Sequence, residues 1–182
     1  MSVSEIRRGR PSDVRIPKEE RVYDFLETLG IEFTMVDHEP ADTMELCREA
    51  KSVLGVGICK NLFLCPRNKS RFYLLVMPGD KPFKTKELSA QIGSSRLSFA
   101  DSEDMEKYLD ITPGSVSVLG LMNDKENMVS LLVDRDLLKE EYFGCHPCIN
   151  TSSLKFLTSD VFERIVPATG HDMTVVELGA DE

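Results

Sequence analysis

Residues 58–78 read ICKNLFLCPRNKSRFYLLVMP, two β-rich runs separated by Pro66, Arg67, Asn68, Lys69 and Ser70. Runs rich in β-branched, aromatic and other apolar residues on either side of a turn-forming pentapeptide predict a β-hairpin. Lys60 and Asn61 are polar residues inside the first run. A lysine there costs free energy unless its ammonium reaches water, a carboxylate or a ligand anion. Facing solvent from one side of the sheet satisfies that requirement as well as a ligand does.

Working outward, Val22, Phe25, Leu26 and Leu29 recur at helical spacing and Gly30 follows as a stop. The run 31–37, IEFTMVD, then alternates like a strand. A second helix is expected over residues 43–54, capped by Asp42 or Thr43, with Leu46, Cys47, Ala50, Val53 and Leu54 inward. Beyond the hairpin, residues 84–92 and 101–109 predict short helices, and 115–122 (SVSVLGLM) and 127–134 (NMVSLLVD) predict strands. A short strand at 154–157, a helix over 159–165 and a last strand at 173–178 complete the pattern. Strands that come as hairpins, with helices interspersed irregularly, imply an α+β fold: a single domain with a mixed, mainly antiparallel β-sheet and flanking helices. Residues 1–17, with four arginines, two prolines and little periodicity, read as a flexible arm, and residues 18–182 as the domain.

A chain of 182 residues suits one core. No apolar run approaches the roughly 20 residues that span a bilayer, and the first residues lack the apolar segment of a secretory signal. A cytoplasmic protein without membrane partners is the expectation. The net charge of −9 opposes indiscriminate nucleic-acid binding, which depends on releasing counterions from many phosphates. Two basic clusters, Arg67/Lys69/Arg71 and Lys81/Lys84/Lys86, are either solvated faces or local contacts to a polyanion.

Five cysteines, an odd number scattered through apolar segments, argue against a disulfide framework. Residues 143–151, FGCHPCINT, hold a Cys-x-x-Cys pair, Cys145 and Cys148. Redox motifs of this spacing open a helix whose amino end lowers the thiol pKa, whereas here the following residues read as loop. A structural zinc site needs about four ligands, and no second pair accompanies Cys145, His146 and Cys148. His38 and His171 stand alone and read as surface or turn histidines. Neither a Gly-x-Ser-x-Gly elbow nor a phosphate loop is present, and no metal or cofactor is expected.

The succession YDFLETLGIEFTMVDHEP, CKNLFL, YLLVMPGDK, LSFADSEDMEKYLDITPGSVSVLGLMND, VSLLVDRDLL and GCHPCINTSSLKFLTSDVFE, collinear over residues 20–166, resembles the YbaK/prolyl-tRNA synthetase-associated editing superfamily, and within it the free-standing prolyl-tRNA editing proteins. The resemblance implies trans-editing, hydrolysis of the ester of mischarged Ala-tRNA(Pro). A pocket built for proline cannot strongly reject alanine, since small apolar differences are worth only about 1–3 kcal/mol. A second site that admits the smaller residue solves that problem.

Carried over to this sequence, the family's lysine falls at Lys60, its Gly-x-x-x-Pro loop at Gly114 and its histidine at His146, as the catalytic set. Asn61, Ser115, Gly144 and Pro147 fall at substrate-binding positions. Lys60 is assigned to the phosphate or terminal adenosine of the acceptor end, and His146 to the wall of the aminoacyl pocket. Val118 stands where the family's loop carries proline. The family's chemistry implies an attacking water aided by the terminal 2′-hydroxyl and backbone donors, with no protein nucleophile. The implied partners are the acceptor end of mischarged tRNA and prolyl-tRNA synthetase. Cys-tRNA(Pro) or another small aminoacyl-tRNA as substrate, and a non-catalytic module binding acceptor ends or the synthetase, are the alternatives.

Overall fold

The computed structural model describes residues 3–40 and 43–179. From the amino end the chain forms β1 (Arg7–Arg8), α1 (Pro17–Leu29), β2 (Thr34–Asp37), α2 (Met44–Leu54), β3 (Lys60–Pro66) and β4 (Phe72–Met77). It continues through α3 (Thr85–Ile92), β5 (Leu97–Phe99), α4 (Ser102–Leu109), a 3-10 helix (Val118–Asn123) and β6 (Val129–Asp134). A second 3-10 helix (Arg135–Lys139), β7 (Tyr142–Cys145) and β8 (Ser152–Leu157) follow. A helical segment of three parts, α5 (Thr158–Asp160), a π-helical turn (Val161–Ile165) and α6 (Val166–Ala168), leads to β9 (Met173–Val176).

β3 and β4 are the expected hairpin, with Lys60 opposite Met77 and Leu64 opposite Tyr73. Phe63, Cys65, Phe72, Leu74 and Val76 turn into the main core. Leu64, Leu75 and Met77 turn the other way, into a second cluster closed by Leu88 of α3. Burial on both faces explains why the β4 run is continuously apolar rather than alternating. The sheet has the order β5-β3-β4-β6-β9, antiparallel at β5-β3-β4 and parallel at β4-β6-β9. A second, wholly antiparallel sheet runs β1-β2-β8-β7. Its Met35, Leu154 and Phe156 pack with α1 residues Val22, Tyr23 and Leu26 into the main core. The α+β class stands, but the strands divide between two sheets.

Local chemistry sets the element ends. Pro17 opens α1, where a missing N–H costs nothing, and Gly30 (φ 68°) closes it. The Thr43 side chain accepts from Leu46 N at 3.2 Å and caps α2; Asp42, the other expected cap, lies outside the described residues. Leu46, Ala50 and Leu54 of α2 are buried on Val36 and Val3, while Cys47 and Val53, expected inward, are exposed. The buried stripe is therefore one residue per turn.

Two expectations need correction. Residues 115–122 are not a strand: Ser117 caps a 3-10 helix by accepting from Leu119 N, and Val118, Leu119, Leu121 and Met122 are buried together. Tertiary packing overrides their β propensity. The helix expected over 159–165 widens into a π turn, with Val166 N donating to Val161 O, and extends to Ala168. Strands β1, β5 and β7, of two to four residues, carry too short a pattern to be seen in the sequence.

Residues 3–17 of the amino-terminal arm pack on the domain. β1 pairs with β2, and Arg10 contacts Glu20, Asp24 and Glu27 of α1. Arg15 grips Asp37 with both terminal nitrogens (Nη1–Oδ1 2.8 Å, Nη2–Oδ2 2.7 Å), and Arg7 and Ser152 Oγ also bind that carboxylate. Burial pushes the Asp37 carboxyl up, but Arg15, Ser152 and Arg7 outweigh it and hold it at about 2. A carboxyl depressed in the folded state stabilises it above the unfolded pKa of about 4, and that contribution disappears as pH falls through the folded value. Asp37→Asn is thus expected to be less stable than wild type in urea at pH 6, with the gap closing between about pH 4 and pH 2. A gap that persists unchanged at pH 2 would remove the ion pairs as its cause.

Candidate active site

Two glycines bring distant segments into contact. A Cβ on Gly144 would stand 2.6 Å from Gly57 O, and one on Gly79 would stand 2.6 Å from Ile58 O. The 57–58 backbone therefore passes between chains that only glycine lets approach so closely. Its contact with β7 is an isolated parallel bridge between Ile58 and Gly144, with Cys59 N donating to Gly144 O at 3.0 Å. Because the bridge is parallel, Lys60 and His146 each lie two residues beyond it, on neighbouring chains leaving in the same direction.

Lys60 and Asn61 face opposite sides of β3, as neighbours in a strand must. Lys60 Nζ donates to Lys81 O at 2.5 Å and borders a groove of about 530 Å³ with Leu62, Phe83, Lys84, Lys86 and Phe99. Asn61 turns towards the side of Phe63; its Nδ2 donates to Cys59 O at 3.0 Å, and its buried Oδ1 has no partner among the described residues. The expected basic cluster is only partly available. Lys81 Nζ is held by Asp134 at 2.7 Å and Asp136 at 2.9 Å, which leaves Lys84 and Lys86 on the groove.

Of the other site residues only Ser115 lines a cleft of about 610 Å³, together with Arg15, Asp37, His38, Cys148 and Asn150; Gly114 lies against Asn150, and His146 lies behind His38. Gly114 adopts φ +90°, a conformation that favours glycine. A Cβ there would reach only Asn150 Nδ2, at 3.7 Å, so the demand on Gly114 is conformational rather than steric. Ser115 is buried and its N–H donates to Thr112 O at 3.1 Å. Val118 begins the 3-10 helix, a position suited to proline; here Ser117 capping and burial in the main core hold the turn without it.

His146 and Pro147 are buried in the turn after β7. His146 Nδ1 lies 2.8 Å from Ser152 O and, facing a carbonyl, must carry the proton. Burial lowers the His146 pKa below the usual imidazole range, and His38 adds to that, against the Ser152 hydrogen bond. The ring is therefore neutral at pH 7, with Nε2 an acceptor. His38, expected at the surface, is buried: its Nδ1 donates to Glu39 O at 2.7 Å and its Nε2 accepts from Ser153 Oγ at 2.8 Å. The two imidazoles lie 6.0 Å apart, edge to face. His171 is likewise buried, 2.8 Å from Asp124 and away from the cleft lining. His38, Asn150 and Arg15 belong to no motif, and only the folded chain brings them to the cleft.

Cys145 ends β7, and Cys148 sits at φ 63° in the following turn rather than at a helix start. Both are buried and in no disulfide, and burial pushes the Cys148 thiol up to about 12 and that of Cys145 further, against a hydrogen bond with Ser117. Redox-active thiols are shifted the opposite way. Iodoacetamide on the native protein should modify the exposed Cys47 and spare Cys59, Cys65, Cys145 and Cys148 until urea unfolds it. Peptide mass mapping reads this directly, and native labelling of Cys145 or Cys148 would restore a thiol role. Among the described residues, no cluster of three His, Cys, Asp or Glu is placed to hold a metal ion, and no helix is long and apolar enough to cross a membrane.

Against known proteins, residues 38–163 match the profile of the aminoacyl-tRNA editing domain. The chain is 33% identical over 153 residues to the prolyl-tRNA editing protein of Acetoanaerobium sticklandii, covering 84% of this chain and 93% of that one. It is 30% identical over 170 residues to the prolyl-tRNA synthetase associated domain-containing protein 1 of Danio rerio, covering 92% and 89%. The fold matches the crystal structure of a candidate trans-editing enzyme for prolyl-tRNA synthetase with a TM-score of 0.66 at 19% identity, over 91% of this chain and 100% of that one. The matched segment begins at His38 and contains the Ile58–Gly144 bridge, Lys60, Gly114 and His146, and with that correspondence the chain belongs to the aminoacyl-tRNA editing domain family.

Proposed function

We propose that this protein is a trans-editing deacylase that hydrolyses the ester of Ala-tRNA(Pro). The hydrolase class follows from the family, and the relatives named for prolyl-tRNA editing support the tRNA. The observation that carries the site assignment is the parallel Ile58–Gly144 bridge, which sets Lys60 beside the chain that bears His146. In this reading the ammonium of Lys60 binds a phosphate of the acceptor end, and the aminoacyl ester lies in the cleft beside Gly114 and His146.

The reaction needs no protein nucleophile, and none is activated: the thiols near the cleft are held protonated by burial. A water oxygen bonds to the ester carbonyl carbon, the bond to the ribose 3′ oxygen breaks, and a proton passes to that oxygen, leaving alanine and tRNA. The neutral His146 Nε2 accepts a hydrogen bond from the attacking water, and the terminal 2′-hydroxyl assists. The developing oxyanion needs fixed donors. Ser115 N is already engaged with Thr112 O, so the Asn150 amide, at the cleft beside Gly114, is assigned that part. Asn61, Gly144 and Pro147 hold the surrounding backbone, with Asn61 Nδ2 on Cys59 O next to the bridge.

The test is a panel of Ala-, Cys- and Pro-tRNA(Pro) incubated with the purified protein. Selective loss of the alanyl ester is expected. Faster loss of the cysteinyl ester would reassign the substrate, and binding without loss of any ester would leave a non-catalytic acceptor-end module. Adding prolyl-tRNA synthetase to the same assay reads whether it acts as a partner that delivers the tRNA.

A further inference from the structure

We propose that the groove between β3, β5 and the start of α3 seats an unpaired nucleotide of a single-stranded RNA 3′ end, its base on Phe99 and its phosphate on Lys84 and Lys86. This rests on the tRNA reading above for the identity of the RNA, and on the groove itself for the chemistry. Phe99 lies on the edge strand β5 and is 62% exposed. Its ring meets Phe83 edge to face, with centroids 6.3 Å apart and planes at 62°. Leu62 lines the groove between them and Lys60, so an apolar surface and a free aromatic ring lie beside three ammonium groups.

The charge is what selects the occupant. The chain carries −9 overall, yet among the described residues the groove lining holds Lys60, Lys84 and Lys86 and no acid. By contrast, two lysines of the basic clusters are neutralised, Lys69 by Asp101 and Asp104 and Lys81 by Asp134 and Asp136. A planar π surface next to unneutralised lysines is the combination that holds single-stranded nucleic acid: the bases stack, and the phosphates take the charge. A paired base could not reach Phe99 face-on, so the site fits an overhang and not a duplex. Because Lys60 borders the same groove, the stacked nucleotide would adjoin the one whose ester enters the cleft.

The probe is an uncharged acceptor-stem minihelix with its single-stranded 3′ end, carrying 2-aminopurine at the penultimate nucleotide, compared with the blunt duplex of the same stem. Wild type is expected to bind the overhang form roughly 10-fold more tightly than the blunt form and to quench the probe. Phe99→Ala should lose the quench and weaken overhang binding by roughly 5- to 100-fold. Phe99→Leu, which keeps an apolar contact with Phe83 but has no π face, should behave like the alanine variant. Lys84→Gln with Lys86→Gln should weaken binding and flatten its salt dependence. Quenching and affinity unchanged in Phe99→Ala would overturn the proposal, whether or not the protein deacylates anything. Stacking on Phe99 without hydrolysis of any ester would uphold the groove and remove the deacylase. Hydrolysis with KM and kcat unchanged in Phe99→Ala would do the reverse.

Discussion

Lys60→Ala is expected to lower kcat/KM for Ala-tRNA(Pro) by roughly 100-fold, the scale for losing one charge-assisted hydrogen bond to a substrate phosphate, while the far-ultraviolet spectrum and unfolding midpoint stay close to wild type. The side chain sits at the groove margin, and its one hydrogen bond among the described residues is to the backbone oxygen of Lys81, so little of the core depends on it. Lys60 opens a strand whose alternate residues Leu62 and Leu64 face an apolar cluster, and no carboxylate lines its groove among the described residues. A ligand phosphate would supply the missing anion. Lys60→Arg should recover only part of the rate, since a planar fork cannot reproduce a point charge. Wild-type rates in Lys60→Ala would end the assignment.

Gly144→Ala is expected to be strongly destabilising. Its Cβ would fall 2.6 Å from Gly57 O and 3.0 Å from Val56 Cγ1, and a backbone oxygen cannot rotate aside as a side chain can. Overpacking of this kind costs about 3 kcal/mol, or roughly 6–12 °C in Tm for a domain of this size. Activity should fall as well, because separating Gly57 from Gly144 breaks the bridge that aligns Lys60 with His146. Gly114→Ala is the control. Its Cβ has room, so the cost is that of a left-handed residue, about 1 kcal/mol. Equal losses in calorimetry would show that steric contact at Gly144 is not what sets its stability.

The hairpin, α1, α2 and α4 were legible because their signals are local: β-rich runs around a turn, apolar residues at helical spacing, Gly30 as a stop, and Thr43 as a cap. Residues 115–122 carried an equally local signal and misled, because Val118, Leu119 and Leu121 are buried from several directions at once and the segment coils instead of extending. The same contrast holds at the site. Lys60, Gly114 and His146 stand in short motifs, whereas His38 and Asn150 reach the cleft only through the return of the chain at β8 and its turn.

By itself, then, the sequence determined the element types wherever the deciding interactions lie within a few residues, and it marked the positions of the chemistry by odd residues in apolar runs. Only the tertiary structure decided that the strands form two sheets, that Lys81 is neutralised while Lys84 and Lys86 stay on the groove, and that Cys145 and Cys148 are buried, inert thiols. Each of those outcomes depends on a partner tens of residues away: Asp134 for Lys81, Gly57 for Gly144, β6 for β4. A local pattern states what a segment can form, but the burial and charge of its side chains are set by whatever the rest of the chain brings against it.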